Sequence, residues 1–170
     1  SMMKVIPAIK AVKFRHTPRT DMPALPRLSV GCIIGGRGRD HNLTGPNWTC
    51  DYCTILVDVR FLPGQTSEMI EEDIRAALEL VKLDYPKLKY EIEHPPHAHY
   101  RAYRRTMPPM DVPHDAYIVQ SVIKHYKELT KKDPKTVGTL LPLSYASNDT
   151  GHLAKAGIPC VIYGPGGSNG

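Results

Sequence analysis

The stretch Tyr52-Cys53-Thr54-Ile55-Leu56-Val57-Asp58-Val59-Arg60-Phe61-Leu62-Pro63-Gly64-Gln65 decides how this chain folds. Ten residues rich in β-branched and aromatic side chains run directly into a Pro-Gly pair. That pattern reads as a strand closed by a turn. Thr54, Leu56, Asp58 and Arg60 share one face of the strand, and Ile55, Val57, Val59 and Phe61 share the other, because successive side chains point to opposite sides.

Working outward, Thr66 opens a helix that runs to about Leu83. Glu68, Glu71, Glu72 and Asp73 crowd its first two turns, where the helix dipole favours acids. Ile70, Ile74, Ala77, Leu78 and Val81 form its apolar stripe. Lys87 to Glu93 alternates again and predicts a further strand. Upstream, Leu28 to Ile34 predicts a strand, followed by a long flexible loop from Gly35-Gly36-Arg37-Gly38 through Gly45-Pro46. Met3 to Phe14 has the spacing of a helix tail, with Pro7 working against a long helix. His16 to Pro26 carries three prolines and reads as loop or extended chain. Helix, strand, strand, helix, strand predicts an α+β sandwich with one sheet face covered.

The composition changes between His94 and Pro113, where prolines, histidines and arginines concentrate in a linker or crossing segment. Asp115 to Leu129 predicts a second amphipathic helix through Ile118, Val119, Val122, Ile123, Tyr126 and Leu129. Thr136 to Leu143 and Ile158 to Tyr163 read as strands. A boundary near Pro109 divides the chain into 1–109 and 110–170. The second part is short for an independent core and reads as an incomplete α/β segment.

With 41% hydrophobic residues, the 170-residue chain can build a real core. No run approaches eighteen apolar residues and no leader pattern opens the chain, so no membrane partner and a cytoplasmic location are expected. Cys50-Asp51-Tyr52-Cys53 has zinc-knuckle or redox spacing but lacks a second ligand pair or a strand-helix context, and reads as two ordinary thiols. The net charge is +5, with basic residues clustered at Lys10 to Arg39 and Arg101 to Arg105. Such clusters suit a nucleic-acid surface, a solvated basic face or a carboxylate site. No stacked-aromatic motif accompanies them, so no nucleic-acid partner is expected.

Several residue groups could carry chemistry. His97-Ala98-His99 could hold a metal, although Pro95, Pro96 and Tyr100 place it in a loop without a fixed carboxylate. Asp149 could orient His152 across one helix turn, or Asn148 or Asp149 could simply cap that helix. Ser147 lacks the glycine elbow of a nucleophile. Gly35-Gly36-x-Gly38 lacks the lysine and helix of a phosphate loop. Arg60, at a strand end before a Pro-Gly turn, could present its planar fork to a carboxylate or pair with Asp58 or a helix acid.

Taken in order, Gly31-x-Ile33-x-Gly35-Gly36, Asn47 and Cys53-Thr54-x-x-x-Asp58-x-Arg60-x-Leu62-Pro63-Gly64 resemble the lid (dimerisation) domain of a zinc metallopeptidase family. That family includes acetylornithine deacetylase, succinyl-diaminopimelate desuccinylase, aminoacylase and carboxypeptidase G. Asn148-Asp149-Thr150-Gly151, Gly157-Ile158-Pro159 and Gly164-Pro165-Gly166 resemble the stretch where its chain re-enters the catalytic domain.

The resemblance implies a ferredoxin-like lid, a four-stranded sheet with two helices, paired with a second copy as a homodimer. It further implies a catalytic domain with two zinc ions that activate water to cleave N-acyl amino acids or small peptides. Asn47 and Arg60 match the lid residues that grip the substrate carboxylate. Ser147 and Asp149 fall in the loop beside the substrate. The family's His-x-Asp, Glu-Glu and final metal histidine have no counterpart here, since Glu71-Glu72 lies on a lid helix. The expectation is therefore most of a lid, without its first strand, joined to an incomplete catalytic segment. Such a piece holds no zinc or catalytic residue of its own and is inactive alone. A stand-alone self-association module and a basic nucleic-acid-binding domain are the other readings.

Overall fold

The computed structural model describes residues 2–43, 45–93, 106–138 and 148–164. They gather into two compact units, the described parts of 1–17 with 25–105, and of 18–24 with 106–170. The first unit contains helix α1 (Met2–Lys10), strands β1 (Arg27–Gly36) and β2 (Tyr52–Arg60), and helix α2 (Ser67–Asp84). The second contains helices α3 (Tyr117–Thr130) and α4 (Thr150–Lys155).

β1 and β2 pair antiparallel, with Arg27 opposite Arg60 at one end and Gly36 opposite Tyr52 at the other. The register slips between Val30 and Cys32, so Gly31 is the extra residue of a β-bulge. The slip keeps Leu28, Val30 and then Ile33 on the same face as Val59, Val57 and Ile55. Without it, Cys32 would take the place of Ile33 on that face. Leu28 and Ile55 pack against the buried cluster of Val5, Ile9 and Leu78 from the two helices. The face that carries Ile55, Val57 and Val59 is therefore the covered one.

α1 is held by Val5 and Ile9, four residues apart on one face. Pro7 lies inside it on the exposed side, and it ends at Lys10, with Phe14 buried in the chain beyond. α2 matches its predicted span. Thr66 caps it by accepting the Met69 N–H at 3.3 Å. Between β2 and α2, Leu62-Pro63-Gly64-Gln65 forms a turn closed by Gln65 N–H to the Leu62 carbonyl at 3.1 Å. Pro63 suits its second position, and Gly64 sits at φ 92°, which L side chains rarely adopt. Buried Gln65 accepts from Leu62 N–H at 2.8 Å and donates to the Arg15 carbonyl at 2.9 Å. The turn is thereby stapled to the segment after α1, and Leu62 becomes the most buried side chain described.

The architecture is α+β, but among the described residues the sheet has two strands rather than the four of a ferredoxin-like lid. Lys87–Glu93 is not a strand. Leu88, Tyr90 and Ile92 pack on the core in the expected alternation, yet the segment joins no ladder. Strands exist by pairing, and an alternating segment without a neighbour remains irregular. The same reason applies to Ile158–Tyr163, which forms no strand. Thr136–Leu143 shows none at 136–138, and its remainder lies outside the described residues. α3 begins two residues later than predicted and ends at Thr130, with Lys131 as its C-cap at φ 57° and the Lys131 N–H on the Lys127 carbonyl.

Candidate substrate-contact loop and strand end

Asn47 and Arg60 emerge at opposite ends of the β1–β2 hairpin. Asn47 lies in the loop joining Gly36 to Tyr52, and Arg60 is the last residue of β2. Eight residue steps separate Tyr52 from Arg60, a distance of about 27 Å along an extended strand. Within one unit the two side chains therefore do not converge on one small ligand. Arg60 Nε donates to Asp58 Oδ2 at 3.1 Å across the strand's uncovered face.

The connecting loop is anchored rather than flexible. Arg37 and Asn42 exchange backbone hydrogen bonds at 3.0 and 3.1 Å. Asp51 Oδ1 accepts from Gly38 N–H at 2.9 Å. His41 is buried with φ 53°, bonded through Nε2 to Thr54 Oγ1 at 2.9 Å and edge-on to Tyr52 at 5.5 Å. Gly36 makes this possible, because a Cβ there would be driven into the His41 backbone. Gly36, at the glycine-rich start of the loop, serves this close backbone approach. Arg39 pairs with Glu91 at 2.7 Å and also with Glu93. Arg37 lies 4.5 Å over the ring of Trp48. Asn47 sits exposed inside the turn closed by Trp48 N–H to the Gly45 carbonyl at 3.1 Å.

Sequence reading missed His41, Arg37 and Trp48 as organisers of this loop. The available signal was a single tryptophan and a histidine among glycines and arginines, without periodicity to place them.

In the second unit Asp149 is exposed and precedes α4, and no hydrogen bond joins its side chain to His152. Asp149 stands at the N-cap position without a side-chain cap bond, and Asn148 before it supplies the turn, its Oδ1 accepting from Thr150 N–H at 2.9 Å and from the Thr150 hydroxyl. Gly151 is buried where any Cβ would meet the Pro108 carbonyl, which explains glycine in Thr150-Gly151. Ser147 and the His97-Ala98-His99 group lie outside the described residues.

The described residues do not fit a metal centre. No three or more histidine, cysteine, aspartate or glutamate side chains among them lie close enough to hold an ion. Glu71 pairs with Arg75 at 2.6 Å and Glu72 with Arg15 at 2.8 Å. Cys50 is exposed and Cys53 half-buried, both reduced. Burial, followed by the nearby Cys50, raises the Cys53 pKa above the ordinary thiol value. No described helix is long and apolar enough to cross a membrane.

Among the described residues, the first unit is a two-layer α+β unit with helices on one face of a two-stranded sheet whose outer edges join no further strand. The chain belongs to the peptidase dimerisation domain family, which matches residues 1–86. It is 25% identical over 175 residues to the N-formyl-4-amino-5-aminomethyl-2-methylpyrimidine deformylase of Halalkalibacterium halodurans, an alignment covering 97% of this chain and 38% of that protein. It is 35% identical over 77 residues to the acetylornithine deacetylase of Aliivibrio fischeri, covering 45% of this chain and 18% of that protein. The chain thus spans well under half the length of these relatives. No solved structure matches it.

Proposed function

We propose that this chain is the self-associating, substrate-contacting part of a metal-dependent hydrolase that removes an acyl group from an amine. The observation that carries the reading is the alignment with a deformylase over 97% of the chain, which continues past the dimerisation domain at residue 86. Association is assigned to the open edge of β1, ten residues long and free of any described neighbour. Ile33 and Ile34, both exposed, lie on this strand. An uncovered edge of this length is a template for pairing with a second strand, here that of a second copy in a homodimer.

The parent's two zinc ions would supply an activated water. None of the described residues of this chain is assigned to holding them. Asn47 offers an amide to the substrate's carboxylate or acyl oxygen, and Arg60 offers a guanidinium fork at the other end of the hairpin. Their separation assigns them to two different sites, one at each end of the hairpin, or to one site completed by a second copy. Ser147 and Asp149 are assigned to the substrate loop of the catalytic segment.

Hydrolysis of N-formyl and N-acetyl amines tests the reading. The purified chain with added Zn²⁺ is expected to show no turnover. The full gene product carrying it is expected to turn over and to lose activity on chelation. Turnover by this chain alone, or a full product inert toward both substrate classes, overturns the proposal.

A further inference from the structure

We infer that Arg37, held over Trp48 and next to the Asn47 turn, is the cation of a carboxylate-binding corner on the β1–β2 loop. The ligand class is a monocarboxylate bearing an adjacent amide, such as an N-acyl amino acid. This rests on the reading of Asn47 as a substrate contact, and it adds a residue to that contact.

Arg15, Arg19, Arg39, Arg60 and Arg75 each meet a carboxylate. Arg37 meets none among the described residues, although Asp40 and Asp51 are near in sequence. Asp51 instead serves Gly38 N–H. Arg37's partner is an aromatic face, and a cation–π contact engages its charge without consuming its N–H donors. Those five donors form a planar fork that matches a carboxylate bidentately.

Both ends of the side chain are restrained. The two-way backbone pairing with Asn42 fixes its root, and the Trp48 ring fixes its head. A preordered donor loses less freedom when it binds. Trp48 is 55% exposed, which leaves apolar surface for a ligand side chain. Asn47 precedes Trp48 in the same tight turn, the one closed by the Trp48 N–H on the Gly45 carbonyl. Arg60 cannot serve this corner within the same unit, being a strand's length away and bonded to Asp58.

The chain contains one tryptophan, so its emission reports on this corner alone. The experiment titrates the intact chain with N-acetylglycine, and with N-acetylglycinamide as the uncharged analogue. Trp48 emission and calorimetric heat are followed together. Saturable binding of the acid and none of the amide is expected. Arg37→Gln should weaken the apparent affinity at least about tenfold, the scale of a lost charge-assisted hydrogen bond. Arg37→Lys should fall between, keeping the charge but not the fork. Arg39→Gln, two residues on and already paired with acids, should match the original chain.

Calorimetry covers the change in baseline emission when Arg37 is removed, and circular dichroism verifies folding of each variant. Unchanged affinity in Arg37→Gln, or equal binding of acid and amide, overturns the inference. If Arg37→Gln binds normally while Asn47→Ala or Arg60→Gln does not, the inference falls and the reading of those two residues stands. If N-acetylglycine does not bind at all, this corner is no carboxylate site, while turnover by the full gene product still decides the proposed function.

Discussion

The two units of this chain use similar amounts of amphipathic sequence with different results. In the first, α1, α2 and the β1–β2 face offer one another matching apolar surfaces. Val5, Ile9, Leu62, Ile70 and Leu78 are buried there. In the second, α3 has a comparable stripe but buries only Val119 fully. Tyr117, Leu129, Ile158, Ile162 and Tyr163 all remain substantially exposed. An apolar stripe becomes a core only when another element presents a surface to it. The first unit contains both layers, whereas the described second unit has helices and strand-like chain but no sheet.

The largest test of this difference is core truncation. Leu78→Ala should destabilise the first unit by about 2–5 kcal/mol in urea denaturation. Leu129→Ala on α3 should stay within about 0.5 kcal/mol. Equal costs would break the contrast and give the second unit a core of its own.

Glycine substitution sharpens it within the hairpin. Gly36→Ala forces a methyl group against the His41 backbone, and overpacking of this kind costs about 1–3 kcal/mol. Gly31→Ala meets nothing nearer than the Leu56 carbonyl at 3.8 Å and should cost well under half of that. Trp48 emission should shift in the first variant only, because the loop is anchored through His41.

Cap removal is a smaller effect. Thr66→Ala should cost about 1 kcal/mol, read as a loss of global stability because α2 is part of the core. Asn148→Ala should open α4 locally, seen as faster amide exchange there without a change in the melting of the first unit.

The smallest effect concerns Cys53. Burial raises its pKa, so the folded chain holds the thiol proton more tightly than the unfolded chain does. The stability this contributes is fully present below the ordinary thiol pKa and is lost as pH rises through the raised value. Alkylation of Cys53 should therefore gain speed only above the pH range of a free thiol, and a profile like that of a free thiol would refute the assignment.

Sequence alone determined what is local or strictly periodic. The β2 alternation, the helix start at Thr66 with its acidic first turns, the turn at Leu62-Pro63-Gly64-Gln65 and the family all follow from residues close together in the chain. Propensity, capping and turn geometry act over a few residues, so they can be read directly. The start of α4 beside Asn148 and Asp149 was legible for the same reason.

Tertiary structure decided everything that depends on a partner distant in sequence. It left Lys87–Glu93 and Ile158–Tyr163 outside any strand, because a strand needs a neighbouring backbone to bond. It ordered the 37–51 loop through His41 on Thr54 and Arg37 on Trp48, contacts that no local pattern encodes. It also set Asn47 and Arg60 a strand's length apart, although they stand thirteen positions apart in the chain, because an extended backbone converts sequence separation directly into distance.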